Sequence, residues 1–356
     1  MNSIFWKNKK VFLTGHTGFK GSWMSIWIDI LGANVKGYAL KPEKISLYNQ
    51  VNPLLKNHSS VIADVRDKKK IKIELLKFQP DIIFHFAAQP LVRKSYAIPV
   101  ETFEVNAIGT ANLLNAVRFL KKECAVVIIT TDKVYENPET GIPFSENDKL
   151  GGHDPYSASK AAAEIVAESF RLSFFHPSKF KQHKKSIATA RAGNVIGGGD
   201  YAEDRIIPDI FRALSKSKTI SVRNPNAVRP WQHVLEPLGG YLLLVEKMKN
   251  NPQNFSSAFN FGPEINDELK VEDLVKLAIE KWGNGKYKIQ EQKNASHEAA
   301  LLKLNIEKSK TELNWSPKWS APQAIERTIK WYHNSLQKSN DKFELCLKDI
   351  NDYVRQ

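Results

Sequence analysis

Cysteine is nearly absent from this 356-residue chain, with Cys124 and Cys346 as its only two. That excludes a disulfide framework and the paired spacings of a structural zinc site, so no metal is expected and the expected setting is reducing and cytoplasmic. No apolar run approaches the roughly 20 residues of a membrane span. The first apolar run begins too near Met1 for a signal peptide to precede it. Low-complexity tracts and internal repeats are missing, as are zinc-finger spacing and the aromatic signature of RNA-binding sheets. Acidic residues are in deficit, 38 against 52 basic, a net charge of +14. The lysines are scattered, with short runs at 9–10, 68–70, 121–122 and 184–185. This charge is read as solubility and as attraction for an anionic small molecule, not for nucleic acid.

What is present is regular. Apolar residues make up 42% of the chain and charged residues 25%, which is ordinary for a globular protein. Val11-Phe12-Leu13-Thr14 runs into Gly15-His16-Thr17-Gly18-Phe19-Lys20-Gly21, and Trp23, Ile26, Trp27, Ile30 and Leu31 follow at helical spacing. The pattern predicts strand, tight turn and helix, and a helix N-terminus behind glycines is a seat for a pyrophosphate. The spacing is G-x-x-G-x-x-G rather than G-x-G-x-x-G.

Further strands are predicted at Val35–Leu40, Val61–Val65, Ile82–Ala88, Val126–Thr131 and Ile187–Arg191, alternating with helices at Ile71–Phe78, Val100–Leu120 and Ser157–His176. Such alternation predicts an α/β fold with a Rossmann-like, doubly wound parallel sheet. Its ligands bind beyond the carboxyl ends of the strands. Past residue 190 the alternation becomes irregular. Helices are expected at Ile206–Leu214, Leu235–Lys249, Val271–Trp282, Ile306–Leu313 and Pro322–Leu336, with strands at Ile220–Val222 and from Ala258. The expected organisation is a cofactor-binding domain over 1–190, with return segments at about 215–250. An interleaved, smaller mixed α/β substrate-binding domain spans 191–340, and a C-terminal helix or tail covers 341–356.

Chemistry-bearing residues fall just after the strands. Tyr156 and Lys160 are four apart on one helix face. An ammonium beside a phenol favours the phenolate, which otherwise forms only near pH 10. Thr131, Asp132 and Lys133 follow the fifth strand and should face Tyr156. His85 reads as a packed strand-end histidine. Asp64 is placed to accept a hydrogen bond from an adenine amino group.

Thr14-Gly15-x-x-Gly18-Phe19-x-Gly21, Asp64-x-Arg66-Asp67, His85-x-Ala87-Ala88-Gln89, Asn106 and Tyr156-x-x-x-Lys160 together resemble the extended short-chain dehydrogenases/reductases. Gln89-Pro90-Leu91-Val92-Arg93, Thr131-Asp132-Lys133-Val134-Tyr135, Arg191-Ala192-Gly193-Asn194-Val195 and Val228-Arg229-Pro230-Trp231-Gln232 resemble the nucleotide-sugar 4,6-dehydratase branch that acts on CDP-glucose. The resemblance runs from about residue 6 to 335. It implies a tightly held NAD, a nucleotide-diphosphate sugar as substrate, and a homodimer or homotetramer joined through the 100–120 and 157–176 helices.

It also implies roles. Gly15, Thr17, Gly18, Phe19 and Gly21 would carry the pyrophosphate, Asp64 and Val65 the adenine, and Phe86, Ala87, Ala88 and Gln89 the ribose region. Asn106 and Thr130 would complete the cofactor site, and Tyr156 and Lys160 would flank the nicotinamide ribose. Arg93, Ser95, Asn194, Arg205 and Arg229 would hold the sugar nucleotide. Two departures stand out. The second strand ends Tyr38-Ala39-Leu40-Lys41, with no acid for the adenosine 2′-hydroxyl. Lys133 stands where related dTDP-glucose enzymes carry a glutamate, so the group that removes the C5 proton is left open between Lys133 and another base. A nucleotide-sugar 4-epimerase, a UDP-N-acetylglucosamine dehydratase and a cofactor-sensing scaffold without turnover are the alternatives.

Overall fold

The computed structural model describes residues 3–290, 302–337 and 339–356, so residues 291–301, inside the expected smaller domain, lie outside the described residues. Among the described residues, seven strands form one sheet: β1 (Lys10–Thr14), β2 (Asn34–Ala39), β3 (His58–Ile62), β4 (Ile82–His85), β5 (Cys124–Ile129), β6 (Lys185–Ala192) and β7 (Ala258–Phe261). Their order is β7-β6-β5-β4-β1-β2-β3, and every neighbouring pair is parallel. The order reverses between β1 and β4, the point where such sheets open a crevice for ligands.

The strands are apolar on both faces because helices cover both. Val11, Leu13, Ile82, Phe84, Val127 and Ile129 pack into one core, beside Trp23 and Trp27 of α1 (Phe19–Ile30). The alternate residues Phe12, Ile83, Val126 and Ile128 face a second core. It is made with Ile71 and Leu75 of α2 (Lys68–Phe78) and Leu113, Leu114 and Val117 of α3 (Gly109–Val117). This period-two split is what pleating imposes on a strand buried on both sides.

Three elements differ from expectation. β3 begins at His58 rather than Val61, because an edge strand reading His-Ser-Ser-Val-Ile is half exposed and carries little apolar signal. The single helix expected over 100–120 is instead a helix at Pro99–Phe103, a widened π turn at Glu104–Ile108 and then α3. β7 pairs with β6, so the large sheet takes a strand from the stretch expected in the smaller domain.

The helix that carries the tyrosine–lysine pair is α4 (Pro155–Phe174). Asp154 caps it, accepting from Ser157 N at 3.0 Å, with Pro155 at the first helical position. Beyond β6 the chain builds a second wall from short pieces. Val195–Ile196 pairs with Gln232–His233, Val228–Arg229 with Leu269–Lys270, and Ile220–Val222 with Tyr287–Ile289. The helices around them are α5 (Ile206–Leu214), α6 (Leu235–Asn250), α7 (Val271–Trp282) and α8 (Ala321–Ser335). The chain ends in α9 (Lys342–Arg355), whose Cys346, Ile350 and Tyr353 are buried. No helix among the described residues is long and apolar enough to cross a membrane.

Candidate active site

The glycine turn after β1 is tight in a way only glycine allows. Gly15 has φ +73°, and a Cβ there would stand 2.7 Å from the Ala87 nitrogen. A Cβ on Gly21 would stand 2.1 Å from the Gly15 carbonyl oxygen. Gly18 begins α1 without a side-chain cap, so the first N–H groups of that helix are left for an anion. Thr17 Oγ1 donates to the Leu40 carbonyl at 3.0 Å and ties the turn to the end of β2. This cradle fits the pyrophosphate of a dinucleotide.

The π turn holds the next loop. Asn106 Oδ1 accepts from Gln89 N at 2.9 Å, and its Nδ2 donates to the Gln89 carbonyl at 3.1 Å and to Ser159 Oγ at 2.8 Å. The extra residue in the turn aims this side chain at Ala87–Gln89, a common use of π bulges near ligand sites. His85 is buried between the Thr14 and Thr110 hydroxyls, at 2.7 and 3.2 Å. Burial, aided by the charge of Lys160, lowers its pKa to about 3, so it is a neutral packed histidine as expected. Val65 is buried and Phe86 packs on Tyr241. The Asp64 carboxylate is engaged by Arg66, through N at 2.8 Å, Nε at 2.9 Å and Nη2 at 2.6 Å.

A cleft of about 1040 Å³ lies between the sheet edge and the second wall. Thr130, Thr131, Lys133 and Tyr156 line it from one side, and Arg93, Asn194, Arg205 and Arg229 from the others. Gly15, Thr17, Gly18, Phe19, Gly21, Asp64, Val65, Phe86–Gln89 and Asn106 do not line this cleft. Ser95 is the expected substrate residue that does not reach it. It is fully buried, its Oγ donates to the Val92 carbonyl at 2.6 Å and accepts from Tyr156 N at 3.1 Å, and so it braces the start of α4.

Thr131 Oγ1 donates to Asp132 Oδ1 at 2.9 Å, and Lys133 Nζ lies 3.5 Å from the same oxygen. Lys133 also donates to Asn194 Oδ1 at 3.4 Å, which bridges the two walls. Asp132 is 1% exposed, and its Oδ2 has no hydrogen-bond partner among the described residues. That oxygen faces Gly193, where a Cβ would stand 3.2 Å away. A buried, unsatisfied carboxylate oxygen is costly, and a ligand hydroxyl would satisfy it.

Tyr156 and Lys160 are both buried. Burial pushes the Tyr156 phenol up to about 12 against the pull of the Thr131 hydroxyl. Lys160 Nζ donates to the Ile129 carbonyl at 2.9 Å, and burial lowers the ammonium to about 8, opposed by Glu164. The expected lowering of Tyr156 by Lys160 is therefore not seen in this state, because the ammonium is drawn to the end of β5.

Sequence reasoning missed Lys20. It stands in the first turn of α1 and lines the cleft. Burial lowers its pKa to about 7, with Arg205 and Lys160 adding to the shift and Asp132 and Asp200 opposing it. The signal was available, since a lysine in the first turn of a helix opposes the helix dipole.

The sequence model of the GDP-mannose 4,6-dehydratase family matches residues 12–328. A CDP-glucose 4,6-dehydratase of Salmonella typhimurium is 44% identical over 98% of this chain and 97% of its own. A CDP-paratose 2-epimerase of Salmonella typhi is 28% identical over 90% and 98%. The crystal structure of a Bacillus anthracis dTDP-glucose 4,6-dehydratase in complex with NAD superposes with a TM-score of 0.75 at 22% identity, covering 91% of this chain and 96% of that one.

Proposed function

Because this chain belongs to the GDP-mannose 4,6-dehydratase family, we propose that it is an NAD-dependent lyase that converts CDP-D-glucose to CDP-4-dehydro-6-deoxy-D-glucose and water. The product is an entry point to deoxysugars of the kind built into lipopolysaccharide, and the enzyme works in the cytoplasm. The observation that carries the reading is the unpartnered Asp132 Oδ2 in the turn beside Tyr156. A 4-epimerase needs the tyrosine and lysine but has no use for a buried carboxyl with a free oxygen beside them.

The glycine turn, with Thr17 and Phe19, holds the NAD pyrophosphate. Asp64 and Val65 take the adenine, Phe86–Gln89 with Asn106 and Thr130 the ribose and nicotinamide region, and Lys160 the nicotinamide ribose. Bound there, NAD would supply the acceptor for a hydride from C4 and the donor of a hydride to C6. Tyr156 removes the proton of the 4-hydroxyl. The resulting ketone acidifies the C5 hydrogen. Starting from the neutral pair, in which the shared proton sits on Asp132, Asp132 gives that proton to the departing 6-hydroxyl and Lys133, 3.5 Å from Asp132 Oδ1, takes the C5 proton as the free amine, so that the pair ends as carboxylate and ammonium. Arg229 and Arg205 grip the diphosphate, Asn194 and Arg93 the sugar.

The protein acts as a homodimer or a dimer of dimers. Val100, Ile108, Ile165 and Leu172 are more than half exposed on the helices around the π turn and on α4, an apolar face suited to a second copy. Light scattering at micromolar concentration should give at least twice the chain mass.

Incubation with CDP-, dTDP-, UDP- and GDP-glucose tests the reading. CDP-glucose should yield a product one water lighter, with deuterium at C5 in D2O and no net NADH. A product of unchanged mass, epimerised at C4, would replace this reading with the epimerase.

A further inference from the structure

Thr130–Tyr135 carries Thr131, Asp132 and Lys133, and both ends of this segment run to one buried ion pair. Glu164 lies four residues after Lys160 on the same face of α4 and is 3% exposed. Its Oε1 accepts from the Thr130 hydroxyl. Its Oε2 accepts from Thr189 Oγ1 at 2.7 Å and from Arg191 Nη2 at 2.9 Å. Arg191, on β6, donates from Nη1 to the Tyr135 hydroxyl and to the Glu146 carbonyl, both at 2.9 Å. The Tyr135 hydroxyl donates onward to Asn260 Oδ1 at 2.7 Å, and its ring stacks on Phe144.

Neither Glu164 nor Arg191 lines the cleft. A buried ion pair is a poor source of stability, since desolvation consumes most of the attraction, but its hydrogen bonds fix direction and distance. Here those bonds have a definite target. One end of the acid–base segment is tied to Glu164 and the other to Arg191. Tyr156, Lys160 and Glu164 share one face of a single rigid helix at spacings of four. The segment that must protonate and deprotonate the sugar is thereby held in register with the pair that oxidises it.

We propose that Glu164 and Arg191 are positioning residues of the elimination step, fixing the Asp132–Lys133 turn against Tyr156 and Lys160 without touching substrate. The proposal rests on the dehydratase reading above. It assigns a function to Tyr135, Glu164 and Arg191, which no chemistry at the cleft otherwise uses.

Tyr135→Phe frees one end of the segment and keeps the ring stack, and Glu164→Gln loosens the other end and keeps the side-chain shape. In single turnover of the NAD-loaded enzyme with CDP-glucose, NADH should appear within about threefold of the parent rate, while water loss slows at least about tenfold and NADH accumulates. Hydrogen exchange supplies a readout independent of activity. Amides of residues 130–135 should exchange faster in both variants, with β1 and β4 as protected as in the parent. Water loss within twofold of the parent, or both steps slowed equally, overturns the proposal. Unchanged exchange at 130–135 overturns it as well. If the parent itself does not dehydrate CDP-glucose, the dehydratase reading fails, and exchange alone decides whether the clamp exists.

Discussion

The sheet-edge wall of the cleft and the wall built from residues 194–231 hold their polar groups differently. On the sheet edge, Thr130, Thr131, Asp132, Tyr156 and Lys160 are all buried and sit directly after β5 or on α4. Across the cleft, Arg205, a third exposed, pairs with the buried Asp200 at 3.0 Å, and Asp204 links Arg93 to Arg223 at 3.3 and 2.9 Å, these three side chains a quarter to a half exposed. Asp200, Asp204 and Arg205 lie in the loop before α5, Arg223 just after the strand Ile220–Val222, and Arg93 in the short helix Val92–Ala97. Reacting groups are placed by a packed sheet, where an error of an ångström costs rate. The wall suited to binding carries part-exposed ion pairs at Asp204, each worth little, in which a carboxylate can give way to a phosphate. The two walls should therefore fail differently when altered.

The largest effect is expected at the sheet edge. Tyr156→Phe removes the proposed proton acceptor for O4 and should lower kcat by about 10²–10⁴-fold with NAD binding intact, measured by turnover and by cofactor titration. A loss below tenfold would remove Tyr156 from the chemistry. On the opposite wall, Arg229→Lys keeps the charge and loses the fork. It should raise KM for CDP-glucose about tenfold and leave kcat within about threefold. A fall in kcat with unchanged KM would erase the distinction between the walls.

A third effect, on stability and not on turnover, is at a joint behind them. Glu236 on α6 accepts from Trp319 N at 2.8 Å, Lys318 N at 3.1 Å and the Tyr353 hydroxyl at 2.9 Å, tying α6 to the start of α8 and to α9. Burial raises its pKa from 4.5 to about 7, against these hydrogen bonds. With the folded value above the unfolded one, its contribution is fully present below pH 4.5 and is lost as pH rises through 7, about 3 kcal/mol in all. Melting temperatures of Glu236→Gln and the parent should diverge across that window, the parent losing more. Parallel curves would mean that the joint does not titrate.

The fold was legible because the strands are buried on both faces and read as apolar runs. β3 was misplaced because an edge strand needs no such run. The π turn was hidden because its purpose, aiming Asn106 at Gln89, is a long-range contact with no local signal. Among the residues the motifs singled out, Tyr156 and Lys133 line the cleft, and Asp132 and Lys160 are buried beside them. Ser95, expected at the substrate, is buried and braces α4, since a serine inside a recognised motif can brace a helix as readily as it can touch a ligand. Lys20 was passed over because the glycines around it explained the turn without it.

The pair at Asp132 is the centre of the account, and Asp132→Asn tests it most directly. Mixed with CDP-glucose in a single turnover, the NAD-loaded variant should still oxidise C4, so the absorbance of bound NADH should rise toward the enzyme concentration and stay there, with no dehydrated product. Lys133→Met should give the same trace if the lysine takes the C5 proton. Dehydrated product formed by Asp132→Asn at the parent rate, with no standing NADH, would contradict the assignment of Asp132 as the acid.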